Sequence, residues 1–322
     1  MALVTDEPPE ASGTGRPPGE SRLAAAHHTP GRVPPEVTGH APDGAGGSGA
    51  GPSTRVGLVE MGFERLSGRT ELVRRYSRMP LRIGRPQYQD PLRPQMAFVR
   101  LAPVADGIVE ADRQRVDVCC GAETEVHLGT GAVTLVRPMD HGHATRLVHL
   151  AAGPDAYLEY LPEPLCPSPG ARFYQRTVIT ADPTATVVIG ETLAAGEAGP
   201  GDGALRLDLE VRRPGGALLA LDAVRLGRDR HGAPGPAALA GHTRTASLHV
   251  VTGRAPATEV ADALHAALDG LGVRYGVSVL PHDCGAWLRV LGDDEAAVAS
   301  ARRAGWDAAR RLLTGSRAPV LG

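Results

Sequence analysis

The sequence predicts a mainly β protein, α+β in class, in which a body of many short strands is followed by two C-terminal helices. Three observations carry this prediction. Short apolar runs separated by Gly, Pro and Asp recur from Arg55 onward. Several runs alternate apolar and polar residues with period two, as half-buried strands do. In the last quarter the apolar spacing changes to steps of three and four, which is typical of helices.

The first 54 residues form a separate zone. Roughly a third of them are Gly or Pro, and apolar periodicity is absent. Such a segment cannot bury enough apolar surface to offset the cost of ordering the chain, so residues 1–54 are predicted to be a disordered extension. It contains His27, His28 and His40, which are either solvated tail residues or weak metal ligands.

The β body is predicted over residues 55–318, together with the two helices. Its alternating segments Arg115–Val118 and Leu205–Val211 indicate sheets with one solvated face. Many short strands at close spacing favour an all-β core over alternating βα units. The predicted strands are Val56–Glu64, Thr70–Arg75, Met96–Leu101, Arg115–Cys120, Thr124–Leu128, Ala132–Arg137, Thr145–Leu150, Tyr157–Leu161, Phe173–Thr180, Val187–Leu193, Leu205–Val211, Leu218–Arg225 and Ala246–Val251.

The C-terminal quarter is predicted to hold a helix over 257–271, a strand pair and a second helix over 294–313. Gly270 and Gly272 are available to end the first helix. The strand pair is Val277–Leu280 and Ala286–Leu291. Asp293 or Asp294 suits the start of the second helix, where a carboxylate accepts backbone N–H groups. Its arginines, at 302, 303, 310 and 311, fall mainly outside its apolar face.

Composition excludes several classes of protein. The net charge of −2 gives no reason to expect nucleic-acid binding. The four cysteines show no metal or disulfide spacing and are expected to be reduced: Cys119, Cys120, Cys166 and Cys284. Neither a signal-peptide core nor a run of membrane-spanning length is visible, so we expect a cytoplasmic protein without membrane contact.

Catalytic machinery is not recognisable in the sequence. The GxSxG, HExxH and P-loop patterns are absent, and the chain contains no Lys. We therefore expect a binding or scaffolding protein and not an enzyme. Two short segments, His141–His143 and His282–Cys284, resemble metal-ligand pairs, but a durable site needs three or four ligands. Each is either a solvated turn or a transient metal contact.

The most informative segment is Tyr157–Leu165, in which a strand meets a Pro-Glu-Pro corner. Pro162 and Pro164 remove two backbone donors and fix two φ angles, so the strand ends there. Glu163 is thus presented between two rigid residues. Such a corner either docks a partner or offers an oxygen ligand to a metal.

In this context the order of motifs resembles that of the urease accessory proteins called UreD, or UreH in some lineages. The resemblance extends from about residue 60 to residue 318, and the Leu-Pro-Glu-Pro segment is its most specific part. The segments that carry it are Gly68–Leu72 with Met79–Ile83, Asp106–Asp112 with Val116–Val118, Leu158–Pro164 with Gly170, Ala171, Tyr174 and Gln175, Glu191–Gly196 with Gly201 and Asp202, and Trp306–Arg310 with Leu313 and Gly315.

The resemblance implies a two-layered β-rich body that works as a non-enzymatic scaffold. Members join the accessory protein UreF and the GTPase UreG, and the assembly delivers nickel to apo-urease. No cofactor is expected to be permanently bound, but nickel in transit would suit weak oxygen ligands. For that path we select Glu163, Glu191 and Asp112, with Asp182 and Glu159 behind them. The residues selected for partner binding are Tyr160, Pro162, Pro164, Trp306 and Arg310.

The chain also departs from the family pattern. Gly131 stands where Gln is usual, Leu135 where Lys is usual, Ala111 where Gly is expected and Glu197 where Arg is expected. Two alternatives to a urease maturation scaffold therefore stay open. One is a β-rich interaction module no longer tied to urease. The other is a hydrolase that uses His141 or His143 with a nearby carboxylate.

Overall fold

The computed structural model describes residues 21–38, 55–103, 107–196, 201–227 and 239–321. Most of the predicted disordered extension lies outside these residues, as do Asp106 and Glu197. The described part of the chain is mainly β, as predicted, with two sheets and two long C-terminal helices.

Every predicted strand is present, with bounds shifted by a few residues, and two further three-residue strands, Leu81–Ile83 and Leu165–Pro167, were not predicted. In chain order the strands are β1 (Val56–Leu66), β2 (Arg69–Arg78), β3 (Leu81–Ile83), β4 (Ala97–Pro103), β5 (Arg113–Cys120), β6 (Glu125–Thr130), β7 (Thr134–Val136), β8 (Ala144–Ala152), β9 (Tyr157–Tyr160), β10 (Leu165–Pro167), β11 (Arg172–Ala181), β12 (Thr186–Ala194), β13 (Ala204–Arg212), β14 (Leu218–Gly227), β15 (Arg244–Thr252), β16 (Arg274–Val279) and β17 (Gly285–Gly292).

The strands form a seven-stranded and a ten-stranded sheet. The first has the order β14-β13-β11-β8-β5-β1-β2, and the second has the order β16-β17-β15-β12-β9-β6-β4-β3 with β7 and β10 beside it. The central strands of both sheets are parallel. From β4 to β6, and again from β8 to β9 and from β11 to β13, the chain alternates between the sheets. Two parallel neighbours in one sheet are usually connected by a helix. Here the connection between them runs through a strand of the opposite sheet.

Apolar residues fill the space between the sheets in two clusters. The larger contains Phe63, Val118 and Leu158, and the smaller contains Ile108, Phe173 and Leu205. All of these except Ile108, which precedes β5, are strand residues whose side chains face the opposite sheet, as an aligned two-layer packing requires.

Residues 21–38, here called the strap, cross the outer face of the seven-stranded sheet. The strap contains a 3₁₀ turn over Ser21–Leu23 and two one-turn helices, α1 (Ala25–His28) and α2 (Pro35–Thr38). Its Val37 is fully buried against the sheet residues Tyr174 and Ala204. Disorder therefore does not describe this part of the predicted extension, because the strap finds an apolar surface to bury.

Two longer helices cover the outer face of the ten-stranded sheet, α3 (Ala257–Leu268) and α4 (Glu295–Thr314). Asp294 caps α4, since its carboxylate accepts the N–H of Ala296 at 2.8 Å. Gly315 ends α4 in the left-handed conformation, with φ 70°. The buried face of α4 includes Arg310, which we had predicted outside the apolar face. In the part of the chain that the structure describes, no helix is both long and apolar enough to cross a membrane.

Candidate functional site

A buried carboxylate, Glu159, lies between the ten-stranded sheet and α4. Along β9 the side chains alternate: Leu158 and Tyr160 face the space between the sheets, and Tyr157 packs among the residues beneath the helices. Glu159 points to the same side as Tyr157 because it lies two residues further along the strand. Its exposed fraction is 0%.

Three neutral or titratable donors surround this carboxylate. Oε1 of Glu159 accepts the hydroxyl of Tyr157 and the indole N–H of Trp306, each at 2.9 Å. Oε2 lies 2.7 Å from Nδ1 of His127, which is its direct neighbour in the β6–β9 register. Burial acts to raise the pKa of Glu159, but the hydrogen bond with His127 and the nearby charges outweigh it, so the pKa lies below its usual value.

Arg310 joins the same network from α4. Its Nε lies 3.4 Å from Oε1 of Glu159, and its Nη2 lies 2.5 Å from Oδ2 of Asp90. Arg310 and Glu159 are fully buried, and Asp90 is 1% exposed. A buried charge is tolerated only when it is paired, so these residues tie α4 to the sheet.

A cavity of about 460 Å³ opens beside this network. His127 lines it, as do Arg85, Arg100 and Thr130. Glu163, from the Pro-Glu-Pro corner, lies at the exposed side of the same cavity, and its backbone N–H donates to Oγ1 of Thr130 at 2.9 Å. Two of the predicted residues, Glu159 and Glu163, thus lie on the same side of the ten-stranded sheet. His127 connects them, because it lines the cavity beside Glu163 and contacts Glu159.

A second polar group lies inside the protein, between the two sheets. Gln114, Arg146 and Gln175 are direct cross-strand neighbours on β5, β8 and β11. Nη2 of Arg146 donates to Oε1 of Gln114 at 2.8 Å. Nε2 of Gln175 donates across to Oε1 of Glu191, on the opposite sheet, at 2.8 Å. This polar layer separates the two apolar clusters of the interior.

Glu191 continues the polar layer toward β14 and β15. Burial raises the pKa of Glu191, while the neighbouring His249 acts to lower it. His249 Nε2 lies 3.2 Å from Oδ2 of Asp222, and Arg289 donates to the same oxygen at 2.7 Å. Burial of Asp222 opposes its ionisation, but the hydrogen bond with His249 and the charge of Arg289 lower its pKa to about 2.

The two ends of the polar layer reach different sides of the molecule. Gln114 and Arg146 line a cavity of about 190 Å³ beside Gly107 and Val133. At the other end, the side chain of Asp222 is 28% exposed. Amide, guanidinium, carboxylate and imidazole groups therefore span the space between the sheets.

Asp112 and Asp182, also predicted for the nickel path, lie in neither polar group. Asp112 is fully buried in a turn, where its Oδ1 accepts Nε of Arg55 at 2.7 Å and its Oδ2 accepts the N–H of Val109 at 3.0 Å. Asp182 accepts the N–H of Thr184 at 2.9 Å in an exposed turn. Both carboxylates are used for local structure.

The residues predicted to bind partners are mostly internal. Tyr160 is 4% exposed, Trp306 is 5% exposed and Arg310 is fully buried. Their contacts lie within this chain, so their placement does not support a direct contact with a partner. Pro162 and Pro164 are half-buried beside the exposed Glu163 and remain accessible.

The two segments with metal-ligand resemblance do not form clusters. His141 is exposed, and burial together with Arg113 lowers the pKa of His143 to about 4. His282 is exposed with φ 58°, while Cys284 is 2% exposed. Among the described residues, no group of three or more His, Cys, Asp or Glu side chains is placed to hold a metal ion.

Sequence reasoning missed most of both polar groups. One signal was available: Gln114, Arg146 and Gln175 occupy inward positions of strands whose other inward residues, apart from Thr177, are apolar. A polar residue at such a position has to find a partner in the interior. His127 gave no comparable signal, because its partner Glu159 is 32 residues away along the chain.

Similarity to known proteins extends over the whole β body and both long helices. Residues 55–321 match the family described as UreD urease accessory protein. Urease accessory protein UreD 2 of Streptomyces griseus is 50% identical over 277 residues, which are 84% of this chain and 94% of that protein. Urease accessory protein UreD 2 of Brucella suis is 31% identical over 274 residues, 81% of this chain and 89% of that protein. Urease accessory protein UreD of Haloarcula marismortui is 29% identical over 292 residues, 88% and 96% of the two chains.

Proposed function

Because this chain belongs to the UreD family of urease accessory proteins, we propose that it is a maturation scaffold that enables nickel insertion into apo-urease. It acts in a cytoplasmic complex with UreF and the GTPase UreG, and it catalyses no reaction of its own. The observation that carries the proposal is the family match over residues 55–321, which covers both sheets, α3 and α4.

Three of the departures from the family pattern lie within the described residues, and two of these line the cavities beside the polar groups. Gly131 lines the larger cavity with His127, and Leu135, on the short strand β7, lines the smaller cavity with Gln114 and Arg146. Ala111 adopts a positive φ of 66°, a conformation that explains why a glycine would suit this turn. None of the three contacts Glu159 or Glu191 in the hydrogen-bond networks described above. These substitutions therefore leave the maturation role open to this chain.

Nickel in transit is assigned to the polar layer between the sheets. Glu191 and Asp222 supply carboxylate oxygens, and His249 supplies an imidazole at the same end of the layer. In the described part of the chain, no three of these side chains converge on one point, so a divalent ion would meet at most two of them at a time and would be held more weakly than in a closed four-ligand site, which favours transfer over storage. Glu163, on the outer side of the ten-stranded sheet, is accessible for an initial or a final contact.

The test is urease activation in cells that carry the structural and accessory genes, with and without this chain, in nickel-supplemented medium. We expect activity only when the chain is present. Equal activity in both strains, with the chain soluble and expressed, would overturn the maturation role and favour an interaction module unconnected with urease. Turnover of a substrate by the purified chain alone would instead support the hydrolase alternative.

A further inference from the structure

The strap covers part of the outer face of the seven-stranded sheet, where its Val37 packs on Tyr174 and Ala204. Leu58, Leu147 and Tyr174 lie on this face in outward positions of β1, β8 and β11. Side chains on the outer face of a two-sheet protein are normally exposed to solvent. These three side chains are nevertheless only 1%, 5% and 4% exposed. The strap lies before residue 55, where the family match begins, so the family relationship does not account for it.

Each end of the strap is anchored by specific contacts. At the first end, Nη2 of Arg22 donates to Glu60 on β1 at 2.8 Å, and its guanidinium lies 4.2 Å from the ring centroid of Tyr76 on β2. At the second end, Val37 is fully buried, and Glu36 accepts Nη1 of Arg206 on β13 at 2.9 Å. The strap is thus held on the seven-stranded sheet by ion pairs at both ends and by the buried Val37 at its second end.

Two adjacent histidines lie between these anchors, against a row of arginines. His28 is 5% exposed, and its Nδ1 is buried without a hydrogen-bond partner in the described structure. The charged groups that face it are Arg78 on β2 and Arg113 and Arg115 on β5. The Nε2 atom of His27 is likewise buried without such a partner.

The surroundings of His27 are mixed in charge. Arg115 donates to the backbone oxygen of His27, and its charge lies beside the ring. Asp117 on β5 and His149 on β8 face His27 as well. The Asp117 carboxylate is already engaged by Arg115 at 2.7 Å and by His149 at 3.3 Å. A proton on His27 or His28 would therefore place a new positive charge beside existing arginines in a buried position.

We propose that the strap is a pH-sensitive cover, which docks on the sheet while its two histidines are neutral and detaches when they are protonated. Detachment in mildly acidic conditions exposes Tyr174 and Ala204 on the outer face of the sheet and frees the Glu60 carboxylate from Arg22.

The direction of the pH effect follows from linkage. Burial lowers the pKa of both His27 and His28 below the ordinary value of 6.5. The detached strap therefore binds more protons than the docked strap, and docking weakens as the pH falls below about 6.5. The pKa values of Asp117 and Glu36 lie below their usual range, because ionic partners outweigh the effect of burial. These carboxylates stay ionised throughout the window in which the histidines titrate.

Hydrogen–deuterium exchange on the full-length chain tests the proposal. Exchange is measured at pH 7.5 and pH 5.5, corrected for the intrinsic pH dependence of the exchange rate, and peptides of the ten-stranded sheet serve as the internal reference. For the unmodified chain we expect protection of residues 21–38 at pH 7.5 and loss of that protection at pH 5.5. The double variant H27Q/H28Q should stay protected at both values, since Gln does not titrate.

Three further variants complete the design. Arg22→Ala removes the ionic anchor and should abolish protection at both pH values, which calibrates the detached state. His265→Gln, at an exposed position on α3 away from the strap, is the matched control and should leave the pH response in place. H27Q/H28F carries an aromatic ring of similar size at the more buried position and should behave as H27Q/H28Q does. Equal protection of the unmodified chain at both pH values, or acid-induced loss in both double variants, would overturn the proposal.

Discussion

Trp306 on α4 donates its indole N–H to the carboxylate of Glu159 on β9 at 2.9 Å, across 147 residues of chain. The same carboxylate accepts Tyr157 and His127 and lies 3.4 Å from Arg310. A single buried acid thus satisfies donors from two strands and one helix. Its removal would leave several buried polar groups unpaired at once, which is costly in a low-dielectric interior.

Glu159→Gln should therefore destabilise the protein strongly. The substitution keeps the size of the side chain but removes the charge that faces Arg310, and an amide cannot accept all of the donors. We expect a loss of about 3 kcal/mol in the free energy of unfolding, measured by urea denaturation with tryptophan fluorescence as the probe. Glu163→Gln is the matched control, because Glu163 is exposed, and it should change stability by less than about 0.5 kcal/mol. Equal denaturation midpoints for both variants would contradict the tie between α4 and the sheet.

The fold was predictable from the sequence where apolar residues recur at a regular spacing along a strand or a helix. The alternation in Leu205–Val211 located β13, and the steps of three and four before Gly270 and Gly315 located both helices. The three-residue strands β3 and β10 were missed because three residues are too short to show a period. The alternation of consecutive strands between two parallel sheets was also not predicted, since a period identifies the buried face of a strand but not its neighbours.

The candidate site was predictable only in part for a related reason. Glu163 was recognised as an unusual carboxylate at a strand end, and Glu159 and Glu191 were selected through the family resemblance. Their partners come from distant segments: His127 reaches Glu159 through the β6–β9 register, and Gln175 reaches Glu191 across the two sheets. Strand register and sheet packing decide such contacts, and neither can be read from one strand's own residues.

Glu163→Ala tests the accessible end of the proposed nickel path. The side chain is exposed at the cavity rim, and its structural hydrogen bond uses the backbone N–H, which the substitution keeps. We expect normal folding and a lower nickel content of urease, measured as metal bound per urease active site in activated cells. Glu259→Ala, at an exposed position on α3, should leave nickel loading unchanged. Full loading with Glu163→Ala would remove this residue from the path.

Asp112→Asn tests whether that carboxylate has a structural or a transfer role. Asp112 pairs with Arg55 and caps the turn at Val109, so we expect a loss of about 2 kcal/mol in the free energy of unfolding. Asp262→Asn, at an exposed position on α3, should have little effect. Urease activation should fall only in proportion to the amount of folded protein. A larger fall would return Asp112 to the nickel path.

Glu191→Gln tests two effects of the buried Glu191 carboxylate separately: its effect on the stability of the fold and its role in nickel transfer. The ordinary pKa of a glutamate is 4.5, and burial raises the pKa of Glu191 in the folded protein. Below pH 4.5 the carboxyl is protonated in the folded and unfolded states alike, so the substitution changes little. As the pH rises toward and past the raised value, the unfolded chain ionises more readily, and the native protein loses stability relative to the variant. We expect Glu191→Gln to be more stable by about 1 kcal/mol at pH 7.5, with no gain at pH 4, in urea denaturation at both pH values.

The same variant should activate urease less well despite its greater stability, because an amide is a poorer ligand for a divalent metal ion than a carboxylate. Gln175 can still donate to the amide oxygen at position 191, so the hydrogen bond across the sheets is retained. A fall in nickel loading without loss of folded protein would show that the buried charge is kept for metal transfer. Greater stability with full activation would exclude Glu191 from the route and direct attention to Asp222 and His249 at the neighbouring end of the polar layer.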